Sequence, residues 1–124
     1  MNANLATWHK VIFNQDRTKL LEILADDVVF HSPVVHTPQI GKQVTFMYLS
    51  AAFVVFFNDT FKYVREVVNE SETLLEFEVE IDGILVNGID MISWNEEGKI
   101  TSFKVMIRPL KAMNLIHAKM GELL

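Results

Sequence analysis

The chain has 124 residues, half of them hydrophobic, which is enough for one core and leaves no room for a second domain. Sixteen acidic residues against eleven basic ones give a formal charge of -5, the opposite of the footprint a phosphate backbone requires, so nucleic acid is not an expected partner. Cysteine is absent, which excludes disulfides, thiolate metal sites and a cysteine nucleophile.

The segment from Met1 to Lys10 lacks a basic stretch followed by a long apolar one, so no signal peptide is expected and the expected location is cytoplasmic. Leu5, Trp8 and Ile12 recur at helical spacing, as do Leu20, Leu21 and Leu24 after the polar break Asn14-Gln15-Asp16. This predicts two short amphipathic helices. Asp27 to Val35, rich in β-branched and aromatic residues, predicts a strand that runs into a loop around His36 to Gly41. Val44 to Phe57 is the most apolar run, yet Thr45, Tyr48 and Ser50 interrupt it. It falls short of the roughly 20 apolar residues of a membrane span, so a buried helix is predicted and no membrane association.

From Phe61 the period changes to two, with runs near Phe61 to Asn69, Leu74 to Ile81, Ile84 to Trp94 and Ile100 to Ile107. Four strands joined by short turns predict an antiparallel meander. Beyond Pro109, the apolar residues Leu110, Met113, Ile116, Met120 and Leu124 fall three or four apart and predict a C-terminal helix.

The turns set an expected register. Asp82-Gly83 is a two-residue hairpin signal, because both positions tolerate positive φ, and it places Ile81 opposite Ile84, Phe77 opposite Gly88 and Leu75 opposite Asp90. If the turn Asn95 to Gly98 sets Trp94 opposite Lys99, Phe103 comes to face Asp90, with Val105 and Ile107 on the same side. The other face carries Glu76, Glu78 and Glu80 and must meet water or a partner, so Asp90 lies among hydrocarbon on the inner face. A carboxylate there must be hydrogen-bonded, be paired, or have its pKa raised toward neutrality. The last makes it a general base; the other two make it an ordering element of the core.

The order of elements and the stretch Gly88-Ile89-Asp90-Met91-Ile92-Ser93-Trp94-Asn95-Glu96-Glu97-Gly98-Lys99-Ile100 resemble the SnoaL-like branch of the nuclear transport factor 2-like superfamily, as do Val28 to Pro33 and Val105 to Leu110. The resemblance covers nearly the whole chain. It implies an α+β, cone-shaped fold: a strongly curved, mainly antiparallel mixed sheet wrapped around N-terminal helices and a long central helix, plus a C-terminal helix. It also implies that Asp90 matches the acid/base aspartate of SnoaL-type cyclases, although Ile89 and Ser93 stand where that segment has histidine and arginine. Members of the superfamily include cyclases, isomerases, dehydratases, epoxide hydrolases and plain binding domains, so the fold leaves the chemistry open.

His31, in a strand beside a proline, is a candidate proton shuttle, because an unperturbed imidazole pKa of about 6.5 suits that work. Trp8, Tyr48, Phe77, Trp94 and Phe103 are candidate walls of a ligand pocket. His9, His36 and His117 are scattered, with no His-x-x-x-His pair, so no metal is expected; nucleotide-binding glycine motifs and a serine-nucleophile motif are also absent, so no cofactor is expected. Two functions fit. One is a cofactor-independent isomerase, cyclase or dehydratase of an apolar carbonyl compound, with Asp90 moving the proton and His31 or Tyr48 stabilising the oxyanion. The other is a non-catalytic module that holds a small apolar molecule or dimerises. Apolar Leu74, Leu85, Ile89 and Met91 interrupt the acidic outer face, so a homodimer is expected in either case.

Overall fold

The computed structural model describes residues 3–124. Met1 and Asn2, the first residues of the segment read for a leader, lie outside the described residues. In chain order the elements are α1 (Ala3–Asn14), α2 (Arg17–Ile23), β1 (Leu24–His31), β2 (Gln39–Ile40), α3 (Lys42–Phe56), β3 (Lys62–Val68), β4 (Glu72–Ile81), β5 (Ile84–Trp94), β6 (Ile100–Arg108) and α4 (Leu110–Leu123). The polar break between the first helices acts as a cap: the Asp16 carboxylate accepts the Lys19 amide at 3.0 Å. Among the described residues no helix is long and apolar enough to cross a membrane.

The strands form one sheet in the order β2-β1-β6-β5-β4-β3, with β1 parallel to β6 and every other pair antiparallel. The expected meander is therefore present as β3 to β6. β1 starts and stops earlier than the sequence suggests. It ends at His31 because Ser32 turns the chain, its hydroxyl accepting the Val34 amide at 3.2 Å, and Pro33 has no N–H to extend a ladder. Two residues of the expected loop, Gln39 and Ile40, instead pair with Phe30 and Val29 as the edge strand β2.

The hairpin at Asp82-Gly83 has the predicted turn, with φ of 51° and 79°, and the β4–β5 ladder has the predicted register, including Leu75 opposite Asp90 and Phe77 opposite Gly88. The β5–β6 register is a correction. Asn95 closes the turn on Lys99, donating its amide at 2.8 Å, so that Trp94 pairs with Ile100, and a bulge between Ser93 and Trp94 moves the ladder by one more residue. Asp90 thus faces Val105, and Phe103 faces Ile92. The two displacements total an even number, so all four side chains keep the inner face.

Helices cover that face. One apolar cluster joins Trp8, Leu20, Phe30, Phe53, Leu75 and Phe103; a second joins Phe56, Phe77, Val79, Val86, Ala112 and Ile116. The Lys119 ammonium meets the Asp82 carboxylate at 2.9 Å and ties α4 to the β4–β5 turn. The opposite face is mixed: Glu76, Glu78 and Glu80 run beside Leu85, which is 59% exposed, and Met106, which is 54% exposed.

Candidate functional site

Between the helices and the sheet, where the two apolar clusters meet, lies a cavity of about 250 Å³. Aromatic side chains dominate its wall because α3 is apolar around most of its circumference and offers Tyr48, Phe53 and Phe56 to the sheet, with Phe57 following at its C-cap. Tyr48 packs on Phe30 with ring centroids 5.3 Å apart, and Trp8 on Phe103 at 5.2 Å. Of the side chains singled out from sequence, Trp8, Tyr48, Phe77, Phe103 and Asp90 line this space.

Trp94 and His31 do not line it, which corrects two expectations. Trp94 is buried at the end of β5, where its indole N–H donates to the Thr73 hydroxyl at 3.1 Å and holds the core beneath β4. His31 follows Phe30, which points into the cavity, and strand alternation turns His31 to the other face, opposite Lys104 of β6. A proton shuttle at His31 is incompatible with that facing.

Asp90 is 9% exposed and sits on the cavity wall between Leu75 and Val105. Burial removes the water that would solvate the anion and pushes its pKa up to about 7, against a partial lowering by a hydrogen bond from Tyr63. Tyr63 itself accepts the Trp8 indole N–H at 3.0 Å, so three side chains form a chain from Trp8 through Tyr63 to Asp90. Burial first, and then the charge of Asp90, raise the phenol well above its ordinary value; Tyr63 remains a neutral donor.

Tyr63 is the residue that sequence reasoning missed. In β3 it pairs with Phe77, and a bulge between Tyr63 and Arg65 turns Arg65 outward, where its guanidinium meets Glu76 at 3.3 Å. The available signal is Lys62: an ammonium between Phe61 and Tyr63 cannot face hydrocarbon unpaired, so both aromatic rings must point inward. On α1, one residue past Trp8, the His9 ring meets the Glu66 carboxylate at 2.6 Å, which holds β3 against that helix. The cavity presents a single carboxylate, and among the described residues no group of three metal-ligating side chains occurs.

Gly88 is the floor on which Phe77 rests. A Cβ there would collide with the Phe77 ring and come within 2.8 Å of the Met106 carbonyl oxygen. Gly88→Ala is expected to push Phe77 into the cavity and to destabilise the fold by about 1–3 kcal/mol. Chemical denaturation together with a cavity-binding dye measures both effects, and an unchanged midpoint with unchanged dye affinity would contradict the close fit.

No protein-family model and no curated protein matches the chain. Solved structures do. A steroid delta-isomerase of Pseudomonas aeruginosa is 34% identical over 97% of this chain and 88% of its own, with a TM-score of 0.90. An uncharacterised bacterial protein with a cystatin-like fold, from Silicibacter pomeroyi, is 27% identical over 98% and 85% of the two chains, with a TM-score of 0.89. A SnoaL-like protein of Shewanella denitrificans shares the fold alone, at 12% identity over 93% and 95% of the two chains and a TM-score of 0.68. With an open mixed sheet curled over its helices and these similarities spanning almost its full length, the chain belongs to the SnoaL-like family of the nuclear transport factor 2-like superfamily.

Proposed function

We propose that the protein is a cofactor-independent isomerase that moves a proton between two carbons of an apolar unsaturated ketone. The observation that carries this reading is a buried carboxylate, its pKa pushed up to about 7 by loss of water, on the wall of a mainly apolar cavity. Near neutrality about half of it is the free base, and a dry site makes that base strong enough to take a proton from the carbon next to a carbonyl. The bond from that carbon to hydrogen breaks, its electrons pass to the carbonyl oxygen as an enolate, and the same proton returns from Asp90 to the far end of the conjugated system. Electrons and atoms balance without a co-reactant. Tyr48, whose hydroxyl has no hydrogen bond among the described residues, supplies the donor for the enolate oxygen. The similarity to the Pseudomonas aeruginosa steroid delta-isomerase supports the same reaction class.

The test follows conversion of cyclohex-3-enone and of larger β,γ-unsaturated ketones to their conjugated isomers by ultraviolet absorbance, with wild-type protein and Asp90→Asn. Turnover by the wild type that the variant loses supports the assignment. Binding of every ketone with no turnover above buffer overturns it and leaves a ligand-binding module. Tyr63→Phe adds a finer readout: loss of the donor to Asp90 is expected to move the base's apparent pKa upward, and loss of the Trp8 acceptor to cost about 1–3 kcal/mol. A pH–rate profile that stays in place would exclude a role for Tyr63 in setting the base.

The same proposal includes a homodimer built on the outer sheet face. On that face the acidic row Glu76, Glu78 and Glu80 of β4 lies two strands from Lys104 and Arg108 of β6, with Ile89, Met91 and Met106 among them. A two-fold axis brings the acids of one copy to the bases of the other over apolar contacts. Light scattering is expected to report twice the 14.2 kDa chain mass, and a monomer at micromolar concentration would refute the pairing.

A further inference from the structure

Trp8 belongs to the cavity wall, but its one polar hydrogen is directed at the Tyr63 oxygen, 3.0 Å away. Tyr63 bonds Asp90 in turn, and of these two only Asp90 lines the cavity. The carboxyl therefore has one flank toward Tyr63 and another toward the ligand space. On the other side of the Tyr63 ring, His9 of α1 and Glu66 of β3 bond each other at 2.6 Å. The remaining titratable side chains on the cavity wall are Tyr48 of α3 and His117 of α4.

A phenol has one proton to give, and that proton lies in the plane of the ring, on one side of the oxygen or the other. The Trp8 indole N–H is aimed at the oxygen as a donor, which leaves the Tyr63 proton the side toward Asp90. Were it to turn back toward Trp8, two donors would face each other and the phenol proton would have no acceptor, the costly case for a buried group. Tyr63 is thus a donor to Asp90 whether the carboxyl is ionised or protonated. An acid whose Tyr63 flank already receives a proton cannot direct its own proton there, so its O–H turns to the ligand space.

We infer that Trp8 is a positioning residue: by fixing the direction of the Tyr63 proton, it keeps the proton that Asp90 takes from carbon on the flank that faces the ligand. The same proton then returns to the substrate instead of passing through Tyr63 to water. This rests on the reading of Asp90 as the base of an isomerisation. In that step the bond from hydrogen to the carbon between the carbonyl and the double bond breaks, and the proton joins the Asp90 carboxylate. It leaves again to the far alkene carbon as the double bond moves into conjugation, and no co-reactant enters. Without the indole N–H the phenol proton can rest on either side, the Tyr63 oxygen can accept from the acid, and the captured proton has a route out.

Label transfer in the intact chain tests it. Cyclohex-3-enone deuterated at the carbon between its carbonyl and its double bond is isomerised in ordinary water, and deuterium NMR at early conversion reads the share of label that reaches the far alkene carbon. Trp8→Phe, which keeps an aromatic wall, is expected to carry about two- to tenfold less label than the wild type, as the preference of one hydrogen bond allows. Adding Tyr63→Phe to Trp8→Phe removes the oxygen that receives the proton and is expected to restore the share. Trp8→Phe leaves a gap in the core, so a second readout uses only the wild type, Asp90→Asn and Tyr63→Phe. The infrared carbonyl band of protonated Asp90 is identified by its loss between pH 5 and pH 9 and by its absence in Asp90→Asn; Tyr63→Phe is expected to move it to higher wavenumber, because the carbonyl loses its donor. A wild type that turns over the ketone without carrying label, a Trp8→Phe protein with an unaltered share, a double variant whose share stays low, or a band that Tyr63→Phe leaves in place overturns the role of Trp8 alone. Absence of turnover by the wild type, or of the Asp90 band at pH 5, overturns the base and the positioning role with it.

Discussion

Asp90→Asn is expected to lower the isomerisation rate by about two to four decades, the usual contribution of a positioned base, while ketone affinity changes little. The amide keeps the shape of the side chain and can still accept the Tyr63 hydroxyl, so the loss reports the proton acceptor and not the cavity. In the wild type the base is the ionised form. Below pH 7 the value of kcat/KM is expected to climb about tenfold per pH unit, and above about 7, where Asp90 is ionised, to level off. Stopped-flow or steady-state absorbance between pH 5 and 9 measures the profile; a rate independent of pH across that interval, or an Asp90→Asn variant as fast as the wild type, would remove Asp90 from the mechanism.

The same carboxyl is expected to make the protein less stable as pH rises. Its folded pKa of about 7 lies above the 3.8 of the free side chain, so the native state holds its proton more tightly than the unfolded chain does. Below pH 4 both states are protonated and there is no penalty. Between pH 4 and 7 the unfolded chain releases the proton while the folded one retains it, and stability falls by up to about 4 kcal/mol at about 1.4 kcal/mol per pH unit. Above pH 7 the loss is complete. Asp90→Asn has no such slope, so the difference between variant and wild type in urea midpoints should shift toward the variant by about 2–4 kcal/mol between pH 4 and pH 8, whatever its offset at pH 4. Other groups titrate alike in both proteins and cancel. Parallel curves would mean that Asp90 is solvated in solution.

Much of this arrangement is legible in the sequence because strand geometry has a period of two. Asp82-Gly83 determines one register and the acidic row Glu76, Glu78 and Glu80 determines which face is wet, and together they place Asp90 inside without reference to any other residue. The turn after Trp94 misleads by two residues, because a bulge has no composition signal as clear as Asp-Gly, yet an even displacement leaves every side chain on its face. His31 shows the opposite sensitivity: it is placed wrongly by a single position, since Phe30 rather than His31 takes the inner side. Tyr63 escaped because β3 has charged residues on both sides of its bulge and no hairpin turn to fix its parity. His117 reads as surface in the sequence because it is a lone histidine on an amphipathic helix, yet it lines the cavity.

The link between α1 and β3 bears on how the cavity moves. Asn4, Trp8 and His9 of α1 reach the Glu70 carbonyl, Tyr63 and Glu66 respectively, joining two segments more than fifty residues apart in the chain. β3 has a neighbour on one side only, and most of its side chains are exposed, so its detachment requires less free energy than global unfolding. The helix cannot stay behind when the strand leaves without stranding the Trp8 indole N–H. Losing that acceptor adds to the free energy of opening, while Trp8, Val11 and Ile12 keep the helix docked in the core, and each excursion of the strand withdraws Tyr63 from Asp90 and lets water reach the carboxyl.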